Sequence, residues 1–532
     1  MILNSKCRGT CNHENNQFWA KLKMVILITA PSFAIIQDYE VLPIKEMGRV
    51  SAFYVSFEKN NDLYKKITYL FHSIKKINKV YPITMKNNRR IFLKKLGLTG
   101  VAASLSPLAF AEDKAMVSKM GRIAVPSSPE AKPLKMALIG AGIMGREDIN
   151  TALMHRNVEL VAVCDLYDGR LERAKSEWGD HLFLTKDYKS VLNRKDVDLV
   201  VIATSDHWHK EISVDALKAG KHVYCEKPMV HSVKEGQEVI DAWKKSGKVY
   251  MVGSQGISSL GNEKAKELLA AGAIGDINYA EGFWARHSPE GAWQYALPAD
   301  GTKETIDWKT YISNTKDRPF DPLRFFRWRN YLDYGTGMSG DLFVHLFSSL
   351  HFITDSKGPN KVSSMGGLRY WEDGREVPDV LLGMFEYPKT AEHPGFNLSL
   401  RCNFVDGTSG TTYLKIVGSK GSMDVKWDEV VVKTNRQGPS DDPFLEEQAR
   451  LRGNEGRKKI LPPSETVYTA ERGYNGAHYD HFANFFNAIR ENGKVVQDPV
   501  FAFRAAAPAL LCNDSYFQDK FIKWDPINMK LV

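Results

Sequence analysis

The sequence predicts an α/β protein whose first large domain is a doubly wound parallel sheet. From Leu134 onward, apolar runs typical of strands alternate with stretches typical of helices, a pattern of parallel sheets covered by helices. The first run ends in the glycine-rich turn Gly140-Ala-Gly-Ile-Met-Gly145. A second run, Val158 to Cys164, is followed directly by the acid Asp165.

The glycine turn and the acid together predict a dinucleotide site. In such turns the first glycine permits the tight bend, the second lets a pyrophosphate approach the backbone, and the third lets the helix pack on the strand. The helix N-terminus attracts phosphate. The cofactor-binding residues predicted in this turn are Gly140, Gly142, Ile143, Met144 and Gly145. Asp165 can accept hydrogen bonds from both ribose hydroxyls and would repel a 2′-phosphate, which favours NAD over NADP. The alternative is a glycine-rich turn without a ligand.

Three more predicted strands complete the first domain, residues 134–255. They are Asp198–Thr204, His222–Cys225 and Val249–Val252, with helices predicted over Trp208–Ala219 and Val233–Ser246. Ligands of such sheets bind beyond the carboxyl ends of the strands. This rule places three segments along one crevice: Thr204-Ser205-Asp206, Glu226-Lys227-Pro228 and Gly253-Ser254-Gln255.

The run Cys225-Glu226-Lys227-Pro228, with the glycine turn and Thr204-Ser-Asp-His-Trp-His209, resembles the Gfo/Idh/MocA family of glucose–fructose oxidoreductase and inositol dehydrogenase-like proteins. The resemblance extends from about residue 134 to 532 and implies a Rossmann first domain. It implies that Lys227 meets both the nicotinamide ribose and the substrate; the alternative is a surface lysine at a strand end. Thr204, Asp206 and Gln255 are further predicted cofactor contacts because of their place in the crevice. The resemblance adds His209 and Glu226, and the alternative for Glu226 is that it only orients Lys227. His209 has the alternative role of capping the following helix.

The resemblance also implies a second domain over residues 256–532, an α+β domain built on a largely antiparallel open sheet. Relatives often assemble through the outer face of that sheet, which implies a homodimer or homotetramer. Asp341 and His345 are four residues apart, so on a helix they would share a face and enter one crevice. The resemblance implies that His345 is the general base, and we expect Asp341 to hold its ring.

Arg327 and Trp328 are predicted to bind a carbohydrate, and the resemblance implies the same role for His478. Sugars have polar edges and C–H faces, so donors and flat apolar rings suit them. Arg324, Arg329 and Trp308 offer the same chemistry. For the aromatic residues, ordinary core packing is an equal alternative.

The front of the chain predicts export. Residues 85–111 resemble a twin-arginine signal peptide, with Arg89-Arg90, a short apolar stretch and a cleavage site at Ala109-Phe-Ala111. The stretch is too short and too rich in Gly and Pro for a permanent membrane span. The alternative is a basic patch before a core helix. Residues 1–84 are interpreted as an upstream extension without a function, or as a real extension with a weak apolar segment, Met24–Ile36. Residues 112–133 are interpreted as a linker.

Charge and cysteine usage exclude other classes of partner. The net charge is +9, but much of the excess lies before residue 96. We find no basic stripe with interleaved aromatics in the main body, so no nucleic-acid partner is predicted. Cys7 and Cys11 have no matching pair of ligands elsewhere, so no metal site is predicted.

These features predict an exported, periplasmic oxidoreductase acting on a secondary hydroxyl of a sugar or related polyol. Free NAD should be scarce outside the cytoplasm, so we expect the cofactor to be held tightly and recycled in place. One alternative is a redox-neutral, NAD-dependent glycoside hydrolase of the same superfamily. The other is a non-catalytic carbohydrate-binding protein that keeps NAD as a structural element.

Overall fold

The computed structural model describes residues 27–29, 32–34, 41–43, 53–55, 116–121, 132–407, 410–439, 442–453 and 458–532. The chain divides into two units, residues 1–109 and 110–532. In the first unit two antiparallel strand pairs are described: Leu27–Thr29 with Ser32–Ala34, and Val41–Pro43 with Phe53–Val55. The predicted signal peptide, 85–111, and both N-terminal cysteines lie outside the described residues, so those interpretations stay predictions.

The second unit begins with a short strand, β1 (Met116–Met120), and then forms a six-stranded sheet with helices on its faces. The strands are β2 (Leu134–Ile139), β3 (Val158–Cys164), β4 (Phe183–Thr185), β5 (Leu199–Ile202), β6 (His222–Glu226) and β7 (Tyr250–Gly253). The helices are α1 (Ile143–Ala152), α2 (Asp168–Trp178), α3 (Tyr188–Leu192), α4 (His209–Lys218) and α5 (Gly236–Ser246).

The strand order in this sheet is β7-β6-β5-β2-β3-β4, and every neighbouring pair is parallel. This confirms the doubly wound parallel sheet. β5 is fully buried, because helices cover both faces of the sheet. The order reverses between β2 and β5, and at such a switch point the loops diverge and leave a crevice. Strand β4 was missed by the sequence reasoning, because three residues are too few to show a period.

The rest of the chain builds the second domain. Its helices are α6 (Leu260–Ala270), α7 (Trp308–Tyr311), α8 (Pro322–Phe326), α9 (Val344–Thr354), α10 (Pro443–Leu451), α11 (Ala477–Glu491) and α12 (Pro499–Gln518). Its strands are β8 (Ile277–Ala285), β9 (Lys361–Gly367), β10 (Val380–Tyr387), β11 (Phe396–Asn403), β12 (Thr412–Gly418), β13 (Gly421–Val425), β14 (Glu429–Pro439), β15 (Lys458–Ala470), β16 (Ile522–Asp525) and β17 (Lys530–Leu531).

With β1, these strands form one sheet in the order β17-β16-β9-β10-β11-β8-β12-β13-β14-β15-β1. Its pairs are antiparallel except β8 with β11 and β15 with β1, which confirms the largely antiparallel sheet. Burial alternates along β10 and β11, so one face packs inward and the other faces solvent. Phe347 of α9 and Phe385 of β10 share a hydrophobic cluster with Ile139 and Cys225 of the first sheet. The two domains are therefore joined by one continuous core.

Two local findings modify the predicted domain boundaries. Within the predicted linker, β1 pairs in parallel with Thr466–Ala470 of β15, so the linker interpretation does not hold for residues 116–120. The sequence concealed this strand because only Met120 is buried in it. Helix α11 also packs on the first domain, since Phe482 and Phe485 share a cluster with Met136. Among the described residues, no helix combines the length and apolarity needed to cross a bilayer.

Candidate active site

A cavity of about 590 Å³ lies at the carboxyl ends of the parallel strands, beside the second domain. This volume is within the range of cofactor and small-molecule sites. The predicted cofactor residues that line it are Gly140, Gly142, Ile143, Met144, Asp165, Thr204, Asp206, His209, Glu226, Lys227 and Gln255. Asp341, His345 and Trp328 line it as well. The structure therefore brings most of the predicted site together.

Each of the three glycines in the turn is required for a different physical reason. Gly140 has a φ of +96°, and a Cβ there would lie 2.7 Å from the carbonyl oxygen of Ala203. A Cβ at Gly145 would overlap the carbonyl oxygen of Gly140, so this glycine serves helix packing and does not line the cavity. At Gly142 a Cβ would meet nothing closer than the Arg170 guanidinium, 3.9 Å away. The space beside Gly142 is open on the cavity side, which fits a pyrophosphate.

Asp165 is buried and held in place at the adenosine end. Its Oδ2 accepts a hydrogen bond from the Ala141 amide at 2.7 Å, and its Oδ1 accepts one from the Tyr167 amide at 3.0 Å. Arg170 Nη1 lies 3.4 Å from Oδ2. Arg170 Nη1 also lies 3.5 Å from Oδ1, so the four lone-pair sites of the carboxylate are occupied. Ribose hydroxyls would bind by displacing the two long contacts of Arg170. Together with the open turn at Gly142, this arrangement fits NAD.

A segment of the second domain, residues 293–334, covers the adenosine end; we name it the cover segment. It is fixed by main-chain hydrogen bonds from Asp307 to Leu166 (2.9 Å) and from Asp168 to Thr305 (3.1 Å). The Tyr167 hydroxyl donates to Asp300 at 2.6 Å. The aromatic residues of the segment form a cluster with Tyr167 that includes Trp308, Tyr311, Phe325, Phe326 and Tyr334. For Trp308, core packing is thus the observed role.

At the other end of the cavity, one buried carboxylate joins two cations. Asp341 Oδ1 accepts a hydrogen bond from Lys227 Nζ at 2.7 Å and one from Arg329 Nε at 3.1 Å. Lys227 Nζ also donates to the Asp341 carbonyl oxygen at 2.9 Å. Burial alone would raise the pKa of Asp341, but Lys227, Arg329 and Arg286 outweigh it and hold this pKa far below its usual range. Asp341 is therefore ionised and holds the Lys227 ammonium in position.

His345 lies beside this group with its ring stacked on Trp284, at a centroid distance of 5.2 Å. Its Nδ1 is buried and has no hydrogen-bond partner among the described residues. Burial, and then the charge of Lys227, lower the pKa of His345 well below its usual value. The ring is therefore neutral at pH 7, and an unprotonated nitrogen can accept a proton.

The predicted relation between Asp341 and His345 is only partly correct. Both line the cavity, but the described contacts contain no hydrogen bond between them. Lys227 and Arg329 both bind Oδ1 of Asp341. Asp341 lies in a π-helical turn, Ser339–Phe343, and His345 in the following α-helix. The wider π turn changes the angle between residues four apart. The expectation that Asp341 orients the His345 ring was wrong.

The remaining polar residues connect the loops around Lys227. The ring nitrogens of His209 face the carbonyl oxygens of Pro228 (2.7 Å) and Thr204 (3.2 Å). Asp206 accepts hydrogen bonds from the amide and hydroxyl of Thr336. Gln255 Nε2 donates to Glu226 Oε1 at 2.6 Å. Burial, with repulsion from Asp148, raises the pKa of Glu226 to about 8, so this carboxyl is neutral at pH 7.

Two predicted substrate residues do not line the cavity. Arg327 donates to the Tyr295 carbonyl oxygen at 2.8 Å. His478 lies on α11, where its Nε2 is 2.9 Å from Asp148 Oδ1 of α1. Both placements correct the prediction, because these side chains bind protein groups instead of facing the open space. The residues that sequence reasoning missed include Arg286 and Tyr295; Arg286 follows the end of β8, which was its only signal.

No group of three His, Cys, Asp or Glu side chains arranged to hold a metal ion is found in the described part of the chain. Its four cysteines, Cys164, Cys225, Cys402 and Cys512, are buried and free.

Fold and site together define a two-domain protein whose first domain is a Rossmann domain with a dinucleotide cavity. Residues 134–254 match the model of the oxidoreductase family with an NAD-binding Rossmann fold, and residues 306–424 match the GFO/IDH/MocA C-terminal domain. The chain belongs to the Gfo/Idh/MocA family.

Individual relatives match parts of the chain. Inositol 2-dehydrogenase of Salmonella typhimurium (strain LT2) is 34% identical over 144 residues, which are 27% of this chain and 43% of that protein. A glycosyl hydrolase family 109 protein of Shewanella pealeana is 27% identical over 249 residues, 43% of this chain and 51% of that protein. The chain thus spans about half or less of the length of these curated relatives.

Solved structures share the fold. Levoglucosan dehydrogenase in complex with NADH has a TM-score of 0.53 at 20% identity and covers 74% of this chain and 99% of its own. GenD2 from gentamicin A biosynthesis, in complex with NAD, has a TM-score of 0.55 at 16% identity, with coverage of 76% and 100%.

Proposed function

We propose that the protein is an NAD-dependent dehydrogenase that oxidises a secondary hydroxyl of a sugar or related polyol. The observation that carries the proposal is the convergence of Lys227, Asp341 and His345 at the far end of a cavity that begins at the glycine turn. The relatives named inositol 2-dehydrogenase and levoglucosan dehydrogenase support this class of substrate.

The chain's own residues divide the work as follows. His345 accepts the hydroxyl proton on a ring nitrogen, since its ring is neutral and half-buried beside the cavity. Lys227 donates a hydrogen bond to the developing alkoxide and stabilises its charge. Asp341 and the Asp341 carbonyl oxygen fix the Lys227 ammonium. Bound NAD supplies the hydride acceptor.

The test is NADH formation, followed at 340 nm, with myo-inositol, glucose and 1,6-anhydroglucose as substrates. Because removal of one preorganised donor costs about 10²- to 10³-fold in kcat, we expect a loss of that size for Lys227→Met. The control is Lys361→Met, which removes an exposed lysine paired with Glu386 and should leave kcat unchanged. Equal activity in the two variants would exclude the role of Lys227.

We further propose that NAD stays bound and is recycled, and that the protein is exported by the twin-arginine route. The main-chain bonds of the cover segment support retention, because they tie this segment to the loop after β3 beside the adenosine end. At a Kd of about 1 nM and an association rate of about 10⁶ M⁻¹s⁻¹, NAD would leave at roughly 10⁻³ s⁻¹. Retention therefore requires that NAD is bound more tightly than this. If heating the purified protein releases no nucleotide into the supernatant, retention is contradicted. If the protein stays in the cytoplasm although Arg89 and Arg90 are intact, export is contradicted.

A homo-oligomer is also proposed. The outer face of the large sheet exposes Met365, Leu382 and Met384, and apolar patches of this kind mark protein interfaces. Sedimentation at micromolar concentration tests this, and a monomer there would contradict it.

A second candidate is the redox-neutral glycoside hydrolase. It is favoured by the glycosyl hydrolase family 109 relative, whose match is longer than that of the inositol dehydrogenase. Transient oxidation at ring carbon 3 would acidify the neighbouring C–H, the aglycone would leave by elimination, and water addition and re-reduction would follow. Nitrophenol release from a nitrophenyl glycoside without net NADH identifies this reaction. A keto-sugar with stoichiometric NADH identifies the dehydrogenase.

A further inference from the structure

Three cations surround the carboxylate of Asp341 at the substrate end of the cavity. Lys227 and Arg329 bind Asp341 directly. Arg286 lines the same cavity and contributes to the low pKa of Asp341, so its charge lies close to that group. Among the described residues, the Arg286 guanidinium has no ion pair and no hydrogen-bond acceptor.

The fold fixes the direction of Arg286. Its amide donates to the Asn403 carbonyl oxygen at 3.1 Å, which continues the pairing at the end of β8. Residues two apart in extended chain share a face, and Trp284, two positions earlier, stacks on His345. Arg286 therefore extends from the same face, toward the opening of the cavity next to the proposed base.

Arg329 is anchored through one nitrogen only. Nε binds Asp341, and the guanidinium lies over the Trp328 ring at 4.1 Å. The two terminal nitrogens have no acceptor in the described part of the chain. The guanidinium is therefore held in a fixed plane by contacts that leave its terminal donors available to a ligand.

The charges around this end do not balance. Besides Asp341, the acids that line this end are Asp206, which accepts hydrogen bonds from Thr336, and Glu226, whose pKa burial raises to about 8. Asp165 belongs to the distant adenosine end, with Arg170. Three cations against two carboxylates leave one positive charge in excess. Lys227 is buried and Arg329 half-buried, and the exposed Arg286 adds a third positive charge beside them. Like charges held this close repel one another unless an anion joins them.

We propose that the substrate is a sugar that carries an anionic group, a carboxylate or a phosphate, and that Arg286 and the terminal nitrogens of Arg329 bind it. The planar guanidinium matches both groups, because each offers two oxygens at the spacing of its donors. The proposal rests on the proposed dehydrogenase and names its substrate class. The anion fixes the ring, so that a secondary hydroxyl lies against Lys227 and His345.

The test compares matched sugars on the NAD-loaded protein. Calorimetry measures the Kd of glucuronate, glucose 6-phosphate and glucose at low and at 300 mM salt, and NADH formation is recorded on the same samples. We expect at least one anionic sugar to bind about tenfold more tightly than glucose, with an advantage that shrinks at high salt. The better of the two anionic sugars identifies the group.

Arg286→Gln should lower the ratio of anionic to neutral affinity about tenfold, and Arg286→Lys should restore part of it. The matched control is Arg401→Gln, which removes an exposed arginine bonded to the Tyr413 hydroxyl outside the cavity and should leave the ratio unchanged. Equal binding of all three sugars, or an equal loss for all in Arg286→Gln, overturns the proposal. Anion preference without NADH formation supports the anion site and contradicts the dehydrogenase.

Discussion

The buried cluster around Asp341 permits a quantitative prediction for Asp341→Asn. The side chains of Lys227 and Asp341 are 9% and 6% exposed, so the small values of surface ion pairs do not apply. Removing one partner of a buried pair costs about 3–5 kcal/mol, because the other charge remains uncompensated. Lys227 keeps its hydrogen bond to the carbonyl oxygen of residue 341 at 2.9 Å. We therefore expect the free energy of unfolding to fall by about 3 kcal/mol, near the lower end of that range.

The pH dependence of this loss follows from the direction of the pKa shift. The pKa of Asp341 is lowered in the folded state, so its contribution is fully present above the unfolded carboxyl pKa of about 4 and is lost only as pH falls further. The difference in free energy of unfolding between wild type and Asp341→Asn should be constant from about pH 5 to 8. Below about pH 4 it should shrink.

The assay is urea unfolding followed by tryptophan fluorescence, with Asp424→Asn as the matched control. Asp424 also pairs with two lysines, Lys415 at 3.8 Å and Lys433 at 3.6 Å, but its side chain is 30% exposed. Its loss should cost less than about 1 kcal/mol. If both variants lose the same free energy of unfolding, the Asp341 cluster is not desolvated as described and the reasoning fails.

Three other predictions concern the cofactor half of the site. Gly142→Ala should keep the melting temperature and lose NAD affinity, since its Cβ would enter open space. Gly145→Ala should lower the melting temperature, because its Cβ meets a carbonyl oxygen. Thermal melting and NADH fluorescence titration check both, and equal effects of the two variants would contradict the different roles given to these glycines. Asp165→Asn should lower NAD affinity about tenfold, as expected for loss of a charged hydrogen-bond acceptor. It should also reduce the ratio of NAD affinity to NADP affinity, and an unchanged ratio would speak against a role of Asp165 in choosing the cofactor. The pKa of Glu226 is about 8 in the fold against an ordinary 4.5, so wild-type stability falls as pH rises between these values; Glu226→Gln should remove that fall, and a melting-temperature difference that does not vary with pH would refute it.

The parts of the site that the sequence predicted are those that short segments determine. The turn after β2 and the acid after β3 depend on glycine geometry and on one strand end, so spacing alone places them. Lys227 follows β6 directly and could be placed by the rule for parallel strands. These residues line the cavity as expected.

The parts that could not be predicted depend on distant contacts. Arg327 and Arg329 are two residues apart in an irregular turn, and only the positions of Tyr295 and Asp341 decide which of them meets the cavity. His478 is directed by Asp148 on another helix. Asp341 bonds to Lys227 and Arg329 and not to His345, and it lies in a π-helical turn that is wider than an α-helix.

Strand β1 also protects the large sheet from unwanted association. Without it, Thr466–Ala470 of β15 would present unpaired main-chain donors and acceptors along an open edge, and such edges template the addition of foreign strands. A shortened chain that starts after residue 121 would retain the cavity and both domains but carry that edge. We expect it to aggregate at concentrations at which the longer chain stays dispersed.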